Sequence, residues 1–110
     1  MALTLLHLQS NTQVDGSIDG MTPEYLHVQG NANITLSSLP TFANTSDHFY
    51  FDNGLTEQMV DWLLEAAAQA VSWKGQEDVS LVGSLPAPSA AGLAFIPAIE
   101  ANGAAGAVNP

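Results

Sequence analysis

"LHLQSN", residues 6 to 11, returns as "LHVQGN" at residues 26 to 31. Leu, His, an apolar residue, Gln, a small residue and Asn recur in the same order. Self-similarity at a period of this size marks stacked units rather than a single closed motif. Working outward, the first unit reads Leu3-x-x-Leu6-x-Leu8-x-x-Asn11-x-x-Val14-x-Gly16-x-Ile18. The second reads Pro23-x-x-Leu26-x-Val28-x-x-Asn31-x-x-Ile34 and continues to Leu36 and Leu39. A third begins at Phe49-x-Phe51, ahead of Asn53 and Gly54, and a fourth at Val79-Ser80-Leu81, ahead of Gly83. From strand to strand the spacing is 20, 23 and 30 residues. The last step is longer because a helix is inserted.

Alternation over three to five residues predicts short strands that turn Leu6 and Leu8, Leu26 and Val28, Phe49 and Phe51 to one side. His7, His27 and Tyr50 then point to the other. The Asn after each strand suits a turn, where its side chain satisfies main-chain groups. Val14, Ile18, Ile34 and Leu39 supply the returning side of each unit. A single unit cannot bury its apolar face, so the units must stack.

The period changes over residues 55–75, "LTEQMVDWLLEAAAQAVSWKG". Thr56 is suited to cap a helix and Glu57 to its first turn. Met59, Val60, Leu63, Leu64, Ala67 and Val71 fall on one helical stripe, with Trp62 and Trp73 off it. Lys74 belongs in the last turn and Gly75 at the left-handed position beyond it. A strand follows at 79–82. A second helix spans 88–103, beginning at Pro88 and Ser89, with Leu93, Ile96 and Ile99 on one face and Asn102-Gly103 at its end. Pro97 removes a hydrogen bond mid-helix, so a kink or two short pieces are expected. The tail, 104–110, reads as flexible, with a weak strand around Val108.

The 110 residues suit one domain with a modest core, and 46% apolar content argues against disorder. Eleven acidic residues face a single basic one, Lys74, for a net charge of −10. That balance excludes nucleic acid, whose phosphates need Lys and Arg, and disfavours an anionic membrane surface. With no cysteine there are neither disulfides nor thiolate metal sites. The N-terminus lacks the basic region of a signal peptide, and no apolar run is long enough to span a bilayer.

The first two units resemble leucine-rich repeats of the bacterial and plant-like type. The second half is similar to a module of bacterial and bacteriophage surface or tail proteins. There a helix beginning "LT…VD.LL", here Leu55-Thr56 through Val60-Asp61-Leu63-Leu64, precedes a strand. The string "APSAAGLA", here Ala87 to Ala94, follows, with a helix ending in Ala-x-Gly, here Ala101 to Gly103. Where that module closes on a β-rich Trp-Thr-Val end, this chain has Ala104-Ala105-Gly106-Ala107-Val108. The resemblance implies an α/β fold: a short leucine-rich-repeat-like solenoid of stacked strands (1–54) with two helices towards the C-terminal half. It also implies a non-enzymatic structural or adhesive role on a virion or cell surface, with no cofactor.

Two metal readings arise from spacing. "DGSIDG", residues 15 to 20, opens like a calcium loop through Asp15, Ser17 and Asp19, but Leu26 stands where the closing Glu belongs. His7 and His27 fall at equivalent positions, about 5 Å apart in stacked strands, a pair that suits zinc if a third ligand joins, with His48 near. A ladder of like residues on an open sheet face is the plainer reading of both. No nucleophile elbow or phosphate loop is present. The expected interaction surface is Leu3, Leu5, His7, Gln9, His27, Gln29 and Tyr50. The first unit starts close to Met1 with nothing ahead to cap it, and an open end calls for further copies of the chain or other virion or surface proteins to cover it. The alternative is a monomeric module that grips a protein or glycan with the strand face.

Overall fold

In the computed structural model the echo is a pair of neighbouring strands. Described are residues 5–8, 15–19, 22, 25–30, 33–42, 45–46, 48–52, 54–70, 72–73, 79–103 and 106–110, with the main chain alone for 5–8, 15, 33, 45–46, 48 and 72–73. In chain order the first elements are β1 (Leu5–Leu8), β2 (Asp15–Ser17), β3 (Tyr25–Val28), β4 (Asn33–Thr35), β5 (Thr45–Ser46) and β6 (His48–Phe51). They continue as α1 (Glu57–Gln69), β7 (Ser72–Trp73), β8 (Val79–Leu81), α2 (Ala90–Leu93), α3 (Ile96–Ala101) and β9 (Gly106–Val108).

Five strands form one sheet in the order β1-β3-β6-β8-β9, with every neighbouring pair parallel. Leu6 stands opposite Leu26, Leu26 opposite Phe49, Phe49 opposite Val79, and Val79 opposite Gly106. The three spacings read from the sequence are therefore the register of the sheet. Each strand enters beside the one before it, so the intervening chain must cross the back of the sheet and return. Two smaller parallel pairs, β2 with β4 and β5 with β7, lie along these return paths.

Alternation decides what is buried. Leu26, Val28, Phe49, Phe51, Val79 and Leu81 are each at most 1% exposed, while Tyr25, His27, Tyr50 and Ser80 are half-buried on the opposite face. Burying each of the large side chains contributes about 1.5–3 kcal/mol. Behind them, Ile18, Ile34 and Leu36 join Val60, Leu63, Leu64, Ala66, Ala67 and Ile99 in one apolar cluster. Phe42, Leu55, Ala70 and Leu85 complete it; none of the four follows from the repeat pattern. The result is an α/β fold with parallel strands and its helices in the C-terminal half.

The first helix is shorter than its apolar stripe suggests. Thr56 caps it as expected, its Oγ1 accepting from the Met59 N–H at 3.3 Å. It ends at Gln69 rather than running to residue 75, and Ala70 is already extended. Ser72–Trp73 pair with Thr45–Ser46 instead, so Trp73 is a strand residue. A β-branched valine followed by serine and tryptophan favours strand over helix once a partner strand is at hand. Val71, Lys74 and Gly75 lie outside the described residues.

The second helical segment splits at Ala94-Phe95 into α2 and α3. Pro97 falls in the first turn of α3, where its missing N–H removes no helical bond. The break also undoes the expected shared face: Ile99 is fully buried and Ile96 partly, but Leu93 is 47% exposed and Gly92 faces α1 in its place. Leu39 is likewise 38% exposed. The chain bends at Ser37–Ser38, so Leu36 takes the buried position that Leu39 would have filled. In the tail the weak strand expected around Val108 forms: β9 adds to β8, and the Asn109 carboxamide donates to Gly83 O and Leu85 O at 3.1 and 2.8 Å.

Candidate functional site

The outward row of the large sheet is His27, Tyr50, Ser80 and Ala107, set side by side by the strand register, with the main chain of His7 opposite His27. Leu5 lies opposite Tyr25, and Tyr25 opposite His48, in the parallel row. The His27 and Tyr50 rings stack, with centroids 4.7 Å apart and planes 14° from parallel. His27 Nε2 is 3.1 Å from Gln29 Oε1, which fixes the ring from its other side. His27, Gln29 and Tyr50 thus meet on one half-buried strip, and the backbone register adds positions 5 and 7 beside it. Leu3 and Gln9 lie outside the described residues. None of the eleven acidic residues falls within the five strands, so histidines are the only titratable groups in the row besides tyrosine. Such a surface offers rings for stacking and amides and hydroxyls for hydrogen bonds, with the Asp52 carboxylate at its end beside Gly30.

The metal readings fare differently. His7 is opposite His27, as expected. Among the described residues, however, no three of His, Asp and Glu gather in a way that would hold an ion. At "DGSIDG" the Asp19 carboxylate accepts from Ser37 twice, at Oδ1 from the main-chain N–H (3.1 Å) and at Oδ2 from the hydroxyl (2.6 Å). These bonds, the Ser37 hydroxyl first, lower the Asp19 pKa below its ordinary value. Asp19 ties two successive turns together, and the Asp15 side chain lies outside the described residues.

That tie is one of several. Asn11, Asn31 and Asn53, expected to serve the turns after the strands, lie outside the described residues, but Asp52 does such work: its Oδ1 accepts from the Gly30 N–H of the preceding strand's turn at 3.1 Å. Ser84 N–H donates to Asp52 O at 2.7 Å. Gly83, with φ of +67°, lies so close that a Cβ there would be 2.6 Å from the same oxygen. Further round, Asp61 accepts from the Ser89 N–H at 3.0 Å and from its hydroxyl. Ser89 Oγ in turn accepts from Gly92 N–H at 3.3 Å and so caps α2. A side chain at Gly92 would overlap the Asp61 carboxylate. The two strings "VD.LL" and "APSAAGLA" are thus the two sides of one helix–helix contact.

No protein-family model, no curated protein and no solved structure matches the chain. Any function must therefore be argued from its own surfaces. Two sheet edges stand out. Among the described residues β1 is paired with β3 alone and β9 with β8 alone, and neither "LLHL" nor "GAV" contains a charge, a proline or a bulge. The sequence pattern suggested the first edge and gave the second only as a weak strand around Val108.

Proposed function

We propose that the chain is a non-enzymatic structural or adhesive protein of a phage virion or bacterial surface, acting by self-association or by docking on a larger assembly. In this reading its fold is a short leucine-rich-repeat-like solenoid. Steps of 20, 23, 30 and 27 residues between register partners support the fold, since such repeats run to twenty-odd residues and lengthen where helices back the strands. The observation that carries the role is the pair of uncharged edges. Main-chain N–H and C=O groups along an edge strand recruit another strand unless Lys, Pro or a bulge guards them. The partners are further copies or other virion or surface proteins; a single Lys in 110 residues leaves nothing to hold phosphates. Among the described residues no helix is long and apolar enough to cross a membrane.

Sedimentation velocity and electron microscopy across a range of concentration and salt test the proposal. Association should strengthen with salt, because ten net negative charges per copy repel until they are screened. His7→Lys on the edge strand should leave the circular dichroism spectrum intact and abolish assembly. A monomer under every condition, with no virion or surface protein bound, overturns it. One observation favours a second reading. The stacked His27–Tyr50 pair with Gln29 resembles the amphipathic, ring-rich contact set of binding faces, which would suit a monomeric module gripping a protein or glycan. Monodisperse monomer that retains affinity for such a ligand, lost in Tyr50→Ala, would decide for it.

A further inference from the structure

We propose that Asn102 is a site of spontaneous deamidation that the fold holds latent, and that its conversion uncaps α1. The chain places Gly103 directly after Asn102. With no side chain on Gly103, nothing on that residue shields its main-chain nitrogen. In the reaction this nitrogen gives its proton to solvent base and attacks Asn102 Cγ. The new N–Cγ bond closes a five-membered imide while the Cγ–Nδ2 bond breaks, and Nδ2 takes a proton from water and leaves as ammonia. Water then opens the imide at either carbonyl, giving aspartate or isoaspartate. No oxidation or reduction is involved.

In the folded chain both reacting groups are engaged. The carboxamide Nδ2 donates to Ala68 O at 3.2 Å and to Ala70 O at 2.8 Å. Gly103 N–H donates to Glu100 O at 3.1 Å, and Asn102 N–H donates to Ala98 O at 3.1 Å. Ring closure needs rotation about the bond joining Asn102 Cα to its carbonyl, and these four bonds resist it together. The reaction therefore waits for the last turn of α3 to open.

The consequence lies in the neighbouring helix. Ala68 O belongs to the last turn of α1, whose carbonyls have no partner within the helix. Asn102 supplies the missing donor across 34 residues of sequence. A carboxylate has no N–H to give, and it would face two carbonyl oxygens at the negative end of the helix. An isoaspartate would also lengthen the main chain shortly before β9. Opening, once it has led to conversion, would thus favour further opening.

Peptide mapping by mass spectrometry after incubation at mildly alkaline pH, in native buffer and in urea, reads the first half of the proposal. Asn53-Gly54 is the internal reference. In urea the two Asn-Gly pairs should convert at similar rates; in native buffer Asn102 should convert at least about tenfold more slowly than in urea. Equal rates at Asn102 in the two media overturn the latency. For the second half, thermal midpoints of Asn102→Asp and Asn102→Ala are compared with the parent. Asn102→Asp should fall by roughly 5 °C or more and lie below Asn102→Ala. A midpoint at or above that of Asn102→Ala overturns the uncapping. If neither variant folds, converted chains separated by their added charge give the same comparison directly, and an unchanged midpoint there has the same overturning force.

Discussion

Up to Phe42 the sheet is backed by more strands, β2 and β4, and the tie made within that part lies on the surface. Asp19 reaches Ser37 there in full contact with water. Asp52 joins this part to the next through a half-buried bond to Gly30. Beyond Leu55 the same sheet is backed by α1 and α3, with α2 packed on α1. The ties there are half-buried: Asp61 to Ser89, and Asn102 to the end of α1. Both halves answer the same problem, since a chain with one Lys and eleven acids has almost no salt bridges to make. Its carboxylates accept from N–H and O–H groups of a neighbouring turn instead. What differs is the surrounding medium, and a hydrogen bond screened from water costs more to break than one in it.

The largest expected effect joins the halves. Phe51→Ala removes a fully buried ring from the sheet they share and should cost about 3–5 kcal/mol, against a total stability of about 5–15 kcal/mol for a domain of this kind. Urea unfolding should show both halves lost in one transition; two separate transitions would show that the sheet does not couple them. Next comes Gly92→Ala, which drives a Cβ into the Asp61 carboxylate and should cost about 1–3 kcal/mol by overpacking. Hydrogen exchange should quicken in α1 and α2 and stay unchanged in β4. Asp61→Ala leaves the Ser89 N–H and hydroxyl without their acceptor, for about 1–2 kcal/mol, read by the same two methods.

Smaller still, Thr56→Ala removes the cap from α1 and should cost about 1 kcal/mol in urea midpoint experiments. Asp19→Ala should have the least effect, because its bonds to Ser37 are fully exposed. Its signature is pH dependence. The fold lowers the Asp19 pKa, chiefly through the Ser37 hydroxyl, so its contribution is complete above the ordinary carboxylate value, about 3.9. It is lost as pH falls below that value and through the lowered one. The thermal midpoints of parent and Asp19→Ala should therefore differ at neutral pH and converge in strong acid. A difference that persists or grows in acid would contradict this assignment.

Much of the sheet was legible because strand register depends on alternation and on the spacing between equivalent residues. Leu6, Leu26, Phe49 and Val79 declare both. The same holds for Thr56 and Ser89, where a hydroxyl ahead of a helical stripe has one obvious use. Harder to read were the places where two remote segments choose between states. The helical stripe through Val71 gave no warning that Ser72–Trp73 would pair with Thr45–Ser46. Leu39 and Leu93 looked like core residues until a bend and a helix break turned them outward. Of the expected interaction surface, the meeting of His27 with Tyr50 followed from register, whereas the Gln29 contact that orients His27 did not.

By itself the amino-acid sequence determined which residues repeat, which side of each strand is oily, where helices begin, and that the charge is one-sided. These are local or periodic properties, set by side-chain chemistry and the geometry of a pleated or helical chain. Only the tertiary structure decided where α1 stops, that Gly106–Val108 pairs with Val79–Leu81, and that Asp61 and Gly92 belong to one contact. Those outcomes turn on which partner a segment finds across tens of residues, and the energy of a partner is written in neither segment alone.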